Sequence, residues 1–281
     1  MNSVQIGGPP TMRPTRMQRL REPASWRIWL FRILAALWGL YFGSNVAAVL
    51  GPWISSAPNG GMDPAVGRWE TSLTFGPDTL AGLVFLYVAW RPRRAALFLQ
   101  WYVLSMVLLI VTSIPNKLGP PGFAVVLALV FLVPVFAYPW LRELLVPPWR
   151  DGVRWPLLVL ALLAGPLLVA DAWNAFQHVQ GASNVAGSDW LSSVAWLVLL
   201  WIAMLVAASR RSSRNPLAVM VGADLLYLGA AAIALPHALG TWGYLWGSLS
   251  ALAGLVYVVD VARERWMPAR KSTTVLEHQS T

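Results

Sequence analysis

From Ile28 onward the chain is a succession of apolar stretches, each close to the length that an α-helix needs to cross a bilayer. This constrains the fold more than any motif does. About 20 residues rising 1.5 Å each cover a hydrocarbon core of about 30 Å. Eight stretches fit, at about 28–50, 73–90, 95–114, 122–141, 155–176, 190–209, 216–235 and 241–261. Inside lipid a span must satisfy its own backbone hydrogen bonds, so each is predicted to be helical. The expected fold is all-α, a polytopic transmembrane bundle. Only 12% of the 281 residues are charged and 57% are hydrophobic, too little charge to cover a water-facing surface. Cysteine is absent, which excludes disulfides, thiolate metal sites and thiol nucleophiles.

The basic residues orient the spans. With the N-terminus cytoplasmic, all but Arg32, Arg68 and Lys117 of the 21 Lys and Arg fall in cytoplasmic segments, as basic loops do in membrane proteins. Arg32 lies near enough to the start of the first span to snorkel. Both termini are expected in the cytoplasm and the bundle in the plasma (inner) membrane. Tryptophans such as Trp90, Trp140, Trp190 and Trp242 fall near span ends, where indole rings anchor at the headgroup level. The arginine-studded tail over 1–27 reads as a membrane-surface arm, not as a nucleic-acid binder.

A repeat organises the chain further. Ile114-Pro115-Asn116-Lys117-Leu118-Gly119-Pro120-Pro121-Gly122-Phe123 lies 121 residues before Leu235-Pro236-His237-Ala238-Leu239-Gly240-Thr241-Trp242-Gly243-Tyr244, and the same offset brings Arg142-Glu143 onto Arg263-Glu264. Gly39 and Asn45 match Gly165 and Asp171 at an offset of 126, and Pro92 and Gln100 match Pro216 and Asp224 at 124. Segments Gly76-Pro77-Asp78 and Gly187-Ser188-Asp189 are expected as outer loops before the second and sixth spans. The expected organisation is a tail over 1–27, a four-helix repeat over 28–145, a second over 153–266 and a tail over 267–281. Each half has four spans and begins inside, so the two repeats would be parallel, related by an axis along the membrane normal.

Each half resembles a class of small four-helix integral membrane proteins of unassigned function. Its recurring features are here Gly43-Ser44-Asn45, Asp78, Arg91-Pro92-Arg93-Arg94 and Pro236-His237. The first copy departs from the pattern with Asn116 in the histidine position, the second with Arg210-Arg211-Ser212-Ser213 in place of Arg-Pro-Arg. The resemblance implies a membrane fold and no reaction.

Asp224 is the carboxylate expected deep in a span, about 15 Å from Arg214 at 1.5 Å per residue. Such a group must be protonated, paired or hydrated, and it marks a functional position by default. Its expected partners are Gln100, Ser105 or a serine of the sixth span. At the outer level stand Asn45, Asp171, Asn174, His178 and His237, with Asp63, Glu70, Asp78 and Asp189. Asp171, Asn174 and His178 are spaced to share one face of the fifth helix. No His-x-x-x-His or Glu-x-x-His pairing points to a metal.

No cofactor is expected. No lysine lies inside a late helix for a retinal Schiff base, no histidine is deep enough for haem, and no phosphate-cradling loop is present. Asp224 has no second carboxylate at its expected depth, which argues against an intramembrane protease, and the chain is not expected to be an enzyme. Sparse intramembrane polarity favours a non-catalytic bundle acting through membrane lipids, a membrane-protein partner or a homo-oligomer, using small-residue faces such as Gly39-x-x-x-Gly43 and Gly222 to Gly229. The alternative is a small-molecule or lipid transporter with a site between the halves around Asp224 and Gln100.

Overall fold

The structure, a computed structural model, describes residues 23–54, 64–113, 126, 129–181, 184–238 and 240–266. Residues 1–22 and 267–281 of the expected tails and the loop carrying Asn116 and Lys117 lie outside the described residues, and the first helix begins at Ser25, inside the expected tail. Among those described, the elements are α1 (Ser25–Gly43), α2 (Val46–Ile54), α3 (Pro64–Trp90), α4 (Ala96–Ser113), α5 (Val133–Phe136), α6 (Leu141–Leu144), α7 (Trp155–Gly181), α8 (Asn184–Ala207), α9 (Asn215–Ala234) and α10 (Gly243–Trp266). Short 3-10 turns at Pro92–Arg94 and Ser212–Arg214 introduce α4 and α9. An antiparallel bridge joins Val153 to Ser209.

Five segments are long and apolar enough to cross a membrane: Ser25–Ile54, Pro64–Trp90, Trp155–Trp173, Ser212–Ala234 and Gly243–Glu264. Ala96–Leu108 and Val194–Ala207 are shorter apolar helices. The expected span at 122–141 differs most. It is interrupted at Leu132, resumes as α5 and leaves the helix before Tyr138. Pro134 and Pro139 explain this: a proline ring clashes with the carbonyl four residues back and disfavours helix in the residue before it.

The second span is longer than its apolar run. α3 begins at Pro64 and carries Gly76, Pro77 and Asp78 inside its 27 residues, so this segment is not an outer loop. Gly187, Ser188 and Asp189 likewise fall within α8. Pro77 lies within the helix, as proline can in a membrane-spanning helix packed against neighbours. Thr71, Ser72 and Thr79 each donate to the carbonyl four residues back, at 2.6, 2.8 and 2.9 Å. The first span, by contrast, tightens at Ser44 and Asn45. The Ser44 hydroxyl donates to the Tyr41 carbonyl at 2.6 Å, and the Asn45 N–H donates to Phe42 at 3.1 Å.

Lipid offers no hydrophobic drive between helices, so close approach of small residues does the packing. α9 and α10 meet through paired glycines: a Cβ on Gly254 would stand 2.5 Å from the Gly222 carbonyl oxygen, and one on Gly229 2.6 Å from that of Gly247. Between α1 and α3, a Cβ on Gly82 would stand 2.5 Å from the Gly43 nitrogen and 3.0 Å from the Gly39 oxygen. The small-residue faces are thus engaged within the chain. α1 packs on α3, α7 on α8, α3 on α9 and α4 on α8, while the turns at 92–94 and 212–214 touch. The described basic turns therefore gather at one end of the bundle. Pro23 lies against residues 90–94 there, and Glu264 meets Arg154 and Arg214.

Candidate functional site

α9 is set by Pro216 in its first turn and ends at Leu235, just before Pro236, since a residue preceding proline is pushed out of helix. Its glycine face lies on α10 and another face packs on α3. On that α3–α9 seam Tyr227 donates from its hydroxyl to Ser72 Oγ at 2.9 Å. Gly76 makes room for the ring, since a Cβ there would be 2.8 Å from Tyr227 Cε1. One turn along α9 is Asp224, 1% exposed, and its Oδ1 makes no hydrogen bond.

The second carboxyl is Asp78. It lies on α3, which packs on the α9 that carries Asp224. Twelve residues separate it from Trp90 and ten separate Asp224 from Arg214, so both lie about 15–18 Å from the basic end. The expectation that Asp224 has no carboxylate at its depth is therefore corrected: Asp78 was placed in a loop and belongs to the span. Asn45, at the tightened turn of the first span, donates from Nδ2 to Asp78 Oδ2 at 3.4 Å. Two segments of the first half, the first span and α3, and one of the second, α9, thus bring Asn45, Asp78 and Asp224 to one seam.

Among the described residues, the other expected site residues do not join this pair. Gln100 points its Nε2 to the carbonyls of Leu144 and Val146, at 2.7 and 2.8 Å, at the basic end. It is the fifth residue of α4 whereas Asp224 is the tenth of α9, so their shared distance from a proline does not give shared depth. Ser105 donates to Tyr102 and is not a partner of Asp224. Asp171, half-buried, accepts a hydrogen bond from the Trp242 indole. That ring stands edge-on to Trp69 at 5.4 Å, so Asp171 ties α7 to the start of α10 and to α3. His237 is exposed, with its ring 6.3 Å from Tyr244. α7 remains helical through Gly181, as the spacing of Asp171, Asn174 and His178 requires, but the side chains of Asn174 and His178 lie outside the described residues. Among the described residues no cluster of three His, Asp or Glu could hold a metal.

The ion pairs lie elsewhere. At the basic end Arg214, with 1% of its side chain exposed, meets Asp260 at 2.7 Å and Glu264 at 2.8 Å, and Arg154 meets the same two acids. Sequence reading did not anticipate this four-membered ring. Asp260 and Glu264 are spaced four apart, and that spacing on one helix face was its available signal.

No protein-family model matches the chain, and comparison with curated proteins and with solved structures finds no match.

Proposed function

We propose that the protein is a membrane carrier in which Asp78 and Asp224 bind and release a proton, coupling it to movement of a small solute between two halves of the bundle. The observation that carries this reading is the placement of the two acids: Asp78 and Asp224 stand at similar depth on helices that pack together, and one oxygen of Asp224 makes no hydrogen bond. Two bare carboxylates in hydrocarbon are prohibitively costly, so the pair must hold a proton or a cation, and intramembrane ionisable groups mark such pathways. Asn45 supports it further, because carriers place interrupted helices beside their central site.

The parallel repeat belongs to the same proposal. Packing of α3 on α9 and of α4 on α8 exchanges the second and third helices of the halves, the pattern expected of a two-fold axis along the membrane normal. Contact between the two 3-10 turns fits that axis too. The basic end would face the cytoplasm of a plasma-membrane protein. The non-catalytic bundle loses support, because the glycine faces meant for a partner are already engaged inside the chain.

The test is flux through purified protein in vesicles enclosing a pH-sensitive dye. Wild type should carry protons down an imposed gradient, and Asp224→Asn and Asp78→Asn should each abolish the flux while remaining folded. Flux that survives both substitutions, or is absent from wild type under every gradient and solute tried, overturns the carrier. The same acid pair also favours a second reading, an intramembrane hydrolase, in which two carboxyls activate water. Cleavage of a membrane peptide by wild type but by neither variant, without proton flux, would select it.

A further inference from the structure

A second site lies at the basic end, on the first half of the chain. A pocket of about 450 Å³ opens there between the start of α1, the end of α3 and the turn that follows. Arg32, Arg91, Arg93 and Arg94 line it, with Trp90 and Trp140. Among the described residues no acid lines it, and none of these arginines takes part in an ion pair. Arg32 stacks over Trp29 at 5.4 Å, Arg91 over Trp90 at 5.2 Å and Arg93 over Trp140 at 5.7 Å. Arg94 is turned to the Tyr87 hydroxyl at 3.1 Å. The Nε of Arg32 is buried and makes no hydrogen bond. The corresponding turn of the second half is arranged otherwise. Arg211 donates to the carbonyls of Val146 and Glu143, at 3.0 and 3.3 Å, and Arg214 is held by Asp260 and Glu264.

Four guanidinium groups without acids, on a pocket of ligand size, define a receptor for a phosphate, which a guanidinium can clasp through two parallel N–H donors. The two tryptophans decide its source. Trp90 is 72% exposed and, with Trp140, belongs to the layer where indoles meet the headgroups. We infer that this pocket binds the phosphodiester headgroup of an anionic phospholipid, with Arg32, Arg91 and Arg93 on the phosphate and Trp90 and Trp140 against the upper acyl chains. Basic pockets between spans on the cytoplasmic side recognise lipids in this manner. The site is independent of the Asp78–Asp224 pair and would persist if the carrier reading failed.

Native mass spectrometry of the full chain, released from nanodiscs holding equal phosphatidylglycerol and phosphatidylcholine, tests it. Wild type should retain phosphatidylglycerol over phosphatidylcholine by about tenfold, and R32Q/R91Q/R93Q should lose that preference. Arg263→Gln, an exposed arginine at the same end but off the pocket, should retain it. If the triple variant does not fold, Arg91→Gln alone should still lower the preference about threefold, since its side chain is exposed. No preference in wild type, or full preference in the pocket variants, overturns the site. Inorganic phosphate is the second arm: lipid that stays bound in millimolar phosphate supports the headgroup, whereas displacement of lipid by phosphate alone makes the pocket a soluble-phosphate site and overturns the lipid assignment.

Discussion

Asp260 and Glu264 differ from Asp78 and Asp224 in company, not in chemistry. The first pair closes a ring with Arg154 and Arg214 at the basic end. Among the described residues neither acid of the second pair meets a cation: Asp78 accepts a hydrogen bond from Asn45, and one oxygen of Asp224 makes no hydrogen bond. A carboxyl neutralised by a fixed arginine is finished as a binding site. A carboxyl left with its own kind keeps an affinity for something that can come and go. In the proposed carrier, the contrast between these pairs separates what holds the bundle from what would move a proton.

The strongest way to break that contrast is Arg214→Met. It leaves Asp260 and Glu264 with Arg154 alone and should destabilise the protein by about 3 kcal/mol, in the range for breaking a buried pair and reduced because both acids are partly exposed. Thermal unfolding in detergent reads this, and an unchanged midpoint would mean the ring is no more structural than the acid pair. Asp260→Asn should lose stability as well, unlike Asp224→Asn.

Next in size is the glycine seam that holds α9. Gly254→Ala forces a Cβ against backbone at 2.5 Å, which no side-chain rearrangement relieves. About 2 kcal/mol should be lost as the helices part. Gly43→Ala meets nothing within 4 Å and should leave the unfolding midpoint where it is. If the two behave alike, α9 is not anchored on α10, and the fixed presentation of Asp224 toward α3 is not explained by this seam.

Much of this was legible in the residues. Apolar runs located all five helices long and apolar enough to cross a membrane, but they also counted 95–114, 122–141 and 190–209, where no described helix meets that length and apolarity; the glycine spacings picked faces that do meet. Asp224 was legible because the run around it is apolar on both sides. Asp78 was hidden by Gly76-Pro77, which reads as a turn in water but lies inside one continuous helix here. Thr71, Ser72 and Thr79, each able to bond four residues back, were the clue that the helix runs through. Gln100 misled for the opposite reason. Its place in the chain suggested depth, but the 3-10 turn at 92–94 starts α4 late, and its amide serves the Leu144 and Val146 carbonyls instead. Histidines in polar outer segments carried little information, and His237 is simply exposed.

The smallest effect sharpens the contrast most finely. Tyr227 and Ser72 join α9 to α3 within a turn or two of the acids, and hydrogen bonds between membrane helices are worth about 0.6 kcal/mol on average. A double-mutant cycle with Tyr227→Phe and Ser72→Ala should return a coupling of about that size in unfolding measurements. A carrier that parts α3 from α9 during its cycle would break this bond in one state. The two variants should then shift flux by a few-fold in the same direction while leaving stability nearly untouched. Coupling in stability with no change in flux would place Tyr227 and Ser72 with Arg214 among the fixed parts. The seam beside the carboxyls would then not be a moving one.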